Sequence, residues 1–469
     1  MAGSMVSTVT EPSVPAVAPT TTATSSIPGS SDPQPGDGGG LGDELFPDLG
    51  FAGIDVEHYD VDLTYDPVAD SIAGVVGIDL VFSAPLQRMA LDSVGLDIAS
   101  VEVDGVQATT DVAEVELWID LPEPAATGDR ARVEVVYSGT PNAEGSAAGI
   151  PSGWFHTYGG SYVLNEPDGA RTWMPCNDHP SDKATFTFTV TVPAGVTAVA
   201  NGGLADHRTG PSTETWVWDE EVPMATYLIQ LLTGDYEIIE DTGPGGLPLV
   251  SAVLREDLVA SEQYLEITPE QIEFFSEYFG PYPLDRYGIA VIDSFGGLAM
   301  ETHGRSLFSN EDLAGGMGYM EHLLLSHELA HQWFGDAVTL ARWVDIWLNE
   351  SFATYAEWMW LEHVGYASVE GSAEMALTTR FPGATGDPSV GDLFGTNSYS
   401  GGAVVLHALR LTIGDDNFFT LLQKWVADNV GDSQTTADFI ALAEGVSDRD
   451  LGEFFDTWLF AEVLPSAFP

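Results

Sequence analysis

The chain is poor in several things that usually announce a protein's business. It has a single cysteine, Cys176, among 469 residues. An intramolecular disulfide is therefore excluded. No nucleophile motif surrounds that thiol, so it is expected to pack as a small buried hydrophobe. Lysine is scarce as well: of 14 basic residues only Lys183 and Lys424 are lysines, and they face 72 acids, for a formal net charge of −58. Such a surface repels phosphate backbones and anionic headgroups, which argues against nucleic-acid and peripheral membrane binding. No apolar run reaches the roughly 18 residues a bilayer-spanning helix needs, and the N-terminus lacks the basic-then-apolar order of a signal peptide. Two readings of the acidity stay open: adaptation to salty water, where counter-ions screen self-repulsion, or the composition of an acidic lineage.

What is present supports a large folded protein. A hydrophobic fraction of 44% with 10% aromatics is ample for packed cores, and the length suggests two or three domains. Residues 1–45 are mostly Ser, Thr, Pro, Ala and Gly, and are expected to form a disordered leader. A Thr/Pro-rich leader of this kind suggests an extracellular or envelope-attached protein. Residues 46–246 read as a mostly antiparallel β domain, because period-two runs such as Thr185-Phe186-Thr187-Phe188-Thr189-Val190 alternate with Gly, Pro and Asp. From 247 to 469 the periodicity turns helical, around Thr268–Tyr278, Tyr319–Phe334, Ser351–Val364, Gly402–Ile413, Asn417–Asn429 and near Asp450–Leu459. A strand, Tyr287–Ile292, precedes the chemistry. The fold class is thus α+β and multidomain.

His327-Glu328-Leu329-Ala330-His331 is an H-E-x-x-H motif. Four residues apart on a helix, both imidazoles lie on one face and reach one metal, with Glu328 beside them. A catalytic zinc site takes three protein ligands and one open position. The third candidate is Glu350, eighteen residues beyond His331, at the opening of the next helical stretch. Two antiparallel helices would bring it back to the histidines. A helical histidine pair alone is often structural; with Glu350 in place, one zinc per chain is the better reading.

The run from His327 to Ala337, continued by Trp347-Leu348-Asn349-Glu350-Ser351-Phe352-Ala353, resembles the gluzincin aminopeptidase family that includes aminopeptidase N. That family carries H-E-x-x-H, eighteen residues, then Glu within W-L-N-E-G-F-A. The resemblance continues in Glu166-Pro167 to Arg171, Pro175 to Asp178, Lys183-Ala184-Thr185-Phe186, and Tyr399-Ser400-Gly401-Gly402-Ala403. It covers residues 51–469. It implies a thermolysin-like, mainly helical catalytic domain behind the β domain, with the active site in the groove between them. Since the sequence stops at Pro469, the helical roof of many relatives is not expected, and the cleft is expected to be more open.

The resemblance also implies roles. His327, His331 and Glu350 bind zinc; Glu328 takes the proton of a metal-activated water and passes it to the leaving amine; Tyr399 donates to the oxyanion. Leu298-Ala299-Met300-Glu301-Thr302 is similar to the family's G-A-M-E-N. There Glu301 clamps the substrate's free ammonium, Glu166 supplies a second amine contact, and the backbone of Leu298, Ala299 and Met300 holds the peptide as an edge strand. The implied reaction is removal of N-terminal residues from peptides. A same-family hydrolase of a lipid epoxide, a non-catalytic scaffold and an endopeptidase are the rivals. Three departures from the family pattern bear on substrate contacts and loop conformation: Leu298, Thr302 and Gly401. His303 is a candidate to line the site, His322 and His407 read as packing or surface residues, Asp345 as a candidate partner of a ligand histidine, and Trp343 and Trp347 as core.

Overall fold

The computed structural model describes residues 40–113, 115–294 and 296–469. The expected leader lies outside these residues up to position 39. Its last six residues, however, are folded. Gly40 bridges to Phe51, and the buried Asp43 accepts a hydrogen bond from the Trp343 amide at 2.7 Å. The folded chain thus begins before position 46. An aspartate among glycines reads as loop; its distant partner, 300 positions on, is invisible locally.

The described residues of the N-terminal region form three sheets. The largest has eight strands in the order Gly203–Thr209, Thr213–Met224, Ala184–Pro193, Ile54–Asp66, Ser71–Phe82, Arg130–Gly139, Asp97–Val103 and Val106–Gln107. Its pairings are antiparallel except Ile54–Asp66 with Ala184–Pro193, which run parallel. Along Ala184–Pro193 buried and half-buried residues alternate strictly, so Phe186, Phe188 and Val190 face the core while the threonines face outward. Cys176 is fully buried in that core and free, as its isolation implied.

The second region centres on a five-stranded sheet: Tyr236–Thr242, Pro248–Leu254, Ile289–Ile292, Ser306–Ser309 and, at the edge, Ala299–Met300. The hairpin formed by its first two strands crosses the boundary expected after residue 246. The sheet explains why. Ala252, Leu254, Ala290 and Ile292 pack into the β-domain core, whereas Leu249, Val253, Ile289 and Val291 pack against helices. A sheet buried on both faces shows a continuous apolar run rather than alternation, and it fuses the two regions.

The described residues also form eight α-helices: α1 Leu258–Phe279, α2 Tyr319–Ala330, α3 Trp347–His363, α4 Val369–Thr379, α5 Gly402–Ile413, α6 Asp415–Asn429, α7 Thr436–Ser447 and α8 Gly452–Trp458. α5 has its expected bounds. α1 begins ten residues before Thr268, because Thr268-Pro269 looks like a helix start, yet here Thr268 Oγ1 donates to Tyr264 O at 2.8 Å inside the helix. α4 and α7 were not anticipated: each carries a glycine, Gly371 and Gly445, that weakens helical propensity. Tertiary packing of Ala373, Phe439 and Ala443 holds them.

Candidate metal centre

α2 is capped at its N-terminus by Gly318, whose amide donates to the Glu321 carboxylate at 3.0 Å, a glutamate at the third helical position reaching back to the cap. The helix ends at Ala330, and His331 occupies its C-terminal cap with helical dihedrals. The i, i+4 relation therefore survives at the helix end, and His327 and His331 still share one face. α3 runs antiparallel beside it. Trp360 Nε1 donates to His322 Nδ1 at 3.1 Å, while Glu350, ten positions earlier, lies at His327 and His331. His322 is a packing residue, as expected.

At the centre, Nε2 of His327 and Nε2 of His331 are 3.0 Å apart. Glu350 Oε2 lies 3.2 Å from the first and 3.5 Å from the second. All three residues are buried. Both Nδ1 atoms are engaged elsewhere: His327 Nδ1 donates to Glu357 Oε1 at 2.5 Å and His331 Nδ1 to Phe334 O at 3.1 Å. With both protons on Nδ1, the two Nε2 lone pairs face each other beside a carboxylate, an arrangement that repels itself unless a cation lies between. With no cation between them, the surrounding carboxylates draw protons onto the imidazoles instead. Although burial raises it, Glu350 sits at about 2 because both imidazoles attract it. Burial lowers His331, yet Glu301 and Glu350 lift it to about 9. The site calls for positive charge, and two imidazoles with one carboxylate fit zinc.

Glu357 is the partner that sequence reading missed. It lies seven residues after Glu350, two turns along the same face of α3. That spacing is the one signal that could have found it. Asp345, the candidate for this duty, instead accepts from Thr436 Oγ1 at 2.6 Å and from Arg342. It anchors α7 and touches neither histidine.

Three further acids crowd the centre. Oxygens of Glu166, Glu301 and Glu350 lie within 4.8 Å of one another, and Glu301, Glu328 and His331 form a similar group. Burial and then repulsion by Glu301 and Glu350 push Glu166 upward; burial also raises Glu301, where the neighbouring His331 opposes the shift and Glu350 adds to it. Glu328 rises to about 8, again chiefly by burial. Among the described residues, Oε1 of Glu166 and Oε1 of Glu301 are both buried without a hydrogen-bond partner. Glu166 is set in place by Asn165, whose amide donates to Ile229 O at 2.9 Å and accepts from Trp173 Nε1 at 3.0 Å.

Ala299 and Met300 form the sheet's edge, with Leu298 immediately before them. Ala299 pairs with Phe308 and Met300 with Leu307, and Asp312 accepts from the Gly297 and Leu298 amides. The leucine is thus accommodated in a braced loop. Thr302 is buried: its hydroxyl donates to Arg305 O at 2.5 Å and accepts from Gln230 Nε2 at 2.8 Å. It closes the turn after Glu301 from the inside. Tyr399 stands in a wide π turn, Asn397–Gly401, just before α5, and its ring lies nearly parallel to His327 at 5.9 Å. A Cβ on Gly401 would come within 3.1 Å of Thr385 Oγ1. Gly402 must be bare, since Ser351 Oγ, donating to Ser398 O at 2.6 Å, fills the space of its Cβ. That bond ties the residue after Glu350 to the tyrosine's turn.

Of the remaining candidates, His303 is buried with Nδ1 3.7 Å from Asp336 Oδ2 and, among the described residues, belongs to no group of metal-ligating atoms. Burial holds it down at about 3, so it is neutral. Trp343 and Trp347 are fully buried core residues. His407 packs against Tyr355 and Phe468.

A β region fused to a helical domain, with H-E-x-x-H at a helix end and a glutamate returned by the next helix, defines a two-domain zinc metallohydrolase. Residues 55–228 match the Peptidase M1 N-terminal domain and residues 263–458 the Peptidase family M1 domain. The chain belongs to peptidase family M1. It is similar to the M1 zinc metallopeptidase of Deinococcus radiodurans, with a TM-score of 0.83 and 32% identity over 91% of this chain and 98% of that one. Probable aminopeptidase 2 of Sulfurisphaera tokodaii is 27% identical over 442 residues, 88% of this chain and 54% of that protein. Leucyl aminopeptidase of Saccharolobus solfataricus is 28% identical over 78% of this chain and 48% of its own length. The chain therefore spans about half the length of these two relatives.

Proposed function

We propose that the protein is an aminopeptidase, hydrolysing the N-terminal bond of peptides that carry a free amine. The observation behind this is the pair of buried, unpartnered carboxylate oxygens of Glu166 and Glu301 beside the metal ligands. Two such oxygens are costly to bury, and a substrate ammonium offsets that cost with charge-assisted hydrogen bonds. The edge of Ala299–Met300 is where an extended peptide would add as a further strand. Zinc, when held by His327, His331 and Glu350, supplies Lewis acidity and makes water acidic enough to attack at neutral pH. Glu328 accepts the proton of the attacking water and delivers it to the leaving amine. The Tyr399 hydroxyl, raised well above its ordinary value by burial and by Glu350, stays protonated and donates to the oxyanion.

The names of the relatives favour the same reading: both curated proteins are called aminopeptidases. A two-domain M1 zinc metallopeptidase variant has been crystallised with L-tryptophan and with L-arginine, and a variant of the Deinococcus radiodurans enzyme with a Tyr-Ser-Ala substrate. The test is hydrolysis of aminoacyl anilides beside their N-acetylated counterparts, with and without a zinc chelator. Chelator-sensitive turnover confined to free-amine substrates is expected. Turnover of blocked substrates would refute the amine clamp in favour of an endopeptidase. Silence with zinc bound would move the reading to the lipid hydrolase or the scaffold.

A further inference from the structure

We propose that Lys183 and Tyr227, both from the β domain, are positioning residues for the zinc ligand His331, acting through the loop that follows it. His331 keeps its Nδ1 proton on the Phe334 carbonyl at 3.1 Å. Phe334 opens a loop that folds back on the ligand: the Gly335 amide donates to Val338 O at 2.9 Å and the Asp336 amide to His331 O at 3.0 Å. The turn needs Gly335 at φ +134°, and a Cβ there would stand 3.4 Å from His331 Nδ1. The direction of the Phe334 carbonyl, and with it the tautomer and aim of His331, depends on how these peptides are held.

They are held from across the domain junction. Lys183 Nζ donates to Asp336 O at 2.9 Å and to Ala337 O at 3.2 Å. Tyr227 OH donates to Gly335 O at 3.5 Å and accepts from Asn349 Nδ2 at 3.1 Å. Asn349 immediately precedes the ligand Glu350. Three successive carbonyls after one ligand and the residue before another are thus tied to one face of the β domain. The identity of the cation is informative. In a chain with 72 acids, Lys183 makes no ion pair among the described residues, whereas the other lysine, Lys424, pairs with Asp428 at 2.7 Å on the surface. The Lys183 ammonium is kept for backbone carbonyls, where its charge strengthens the bonds.

Outer partners of zinc ligands typically change metal affinity 10- to 100-fold when removed. The experiment measures zinc dissociation constants by competition with a chelating dye, together with the melting temperature of each metal-free protein. Lys183→Met is expected to weaken zinc binding roughly 10- to 100-fold, Lys183→Arg to recover part of that, and Lys424→Met to leave affinity unchanged. Tyr227→Phe preserves the ring's packing on Trp343 and carries the test if Lys183→Met does not fold; a loss of about tenfold is expected. The d–d absorption of the cobalt-substituted variants should shift as well. Metal-free proteins with lowered melting temperatures but unaltered zinc affinity and cobalt spectra would overturn the proposal, leaving Lys183 and Tyr227 as ordinary interface residues. The inference rests on His331 being a ligand, so absence of zinc binding by the unaltered protein would overturn both, and is told apart by that measurement alone.

Discussion

Replacing Glu301 by glutamine changes one charge and almost no shape. Oε1 of Glu301 is buried without a partner among the described residues, so the substitution breaks no hydrogen bond of that atom there. It also removes a charge that repels Glu166 and Glu350. Folding stability should therefore hold or rise slightly. The loss falls on the substrate. A hydrogen bond between charged groups contributes about 1.5–3 kcal/mol net, which corresponds to a fall in kcat/KM of roughly 10- to 150-fold for free-amine substrates. The assay is steady-state hydrolysis of an aminoacyl anilide by both proteins, with zinc content measured in parallel. Retained zinc, a fall of that size and no activity on N-acetylated substrate are expected. A variant that loses zinc in step with activity, or one that cleaves free-amine substrates as fast as the unaltered protein, would refute the clamp.

Two further outcomes test other parts of the structure. Glu357→Ala removes the acceptor of the His327 Nδ1 proton and should weaken zinc binding roughly 10- to 100-fold, read by chelator competition; unchanged affinity would show that the bond does not orient the ligand. In the β domain, burial followed by neighbouring acids lifts Asp92 to about 7 and Glu116 to about 8. Both folded values lie above the unfolded ones, so the folded state holds the extra protons, and stability present at pH 4 is lost as pH rises through 7 and 8. The melting temperature should fall between pH 5.5 and 8.5. Among the described residues neither Glu116 oxygen has a partner, and Glu116→Gln should reduce that fall, by about 1 °C per kcal/mol of relieved burial cost and repulsion. A melting temperature flat across this range in both proteins would remove the acids from the account.

Much of the site could be read before folding because its spacing is helical. His327 and His331 share a face on any α-helix, and Glu350 needs only that two successive helices return on each other. Period-two runs such as Ala184–Pro193 also announce their inward residues. Legibility failed where partners are remote in sequence. Asp43 looks like linker until Trp343 is beside it. Glu357 is one acid among 72 until His327 selects it. Asp345, a reasonable guess by proximity in sequence, points to α7 instead. Thr302 departs from the family motif, and only its bonds to Gln230 and Arg305 show that it faces inward.

The amino-acid sequence by itself determined which atoms are available for the metal, since local periodicity and residue chemistry are properties of short stretches of chain. Tertiary structure alone decided how those atoms are held. The sheet buried on both faces fuses the β region to the helices, which lets Lys183 and Tyr227 reach the loop behind His331. Glu166 and Glu301, from separate regions, leave unpaired oxygens beside the ligands. Such contacts join residues whose separation along the chain carries no period, so they exist as information only once the chain has folded.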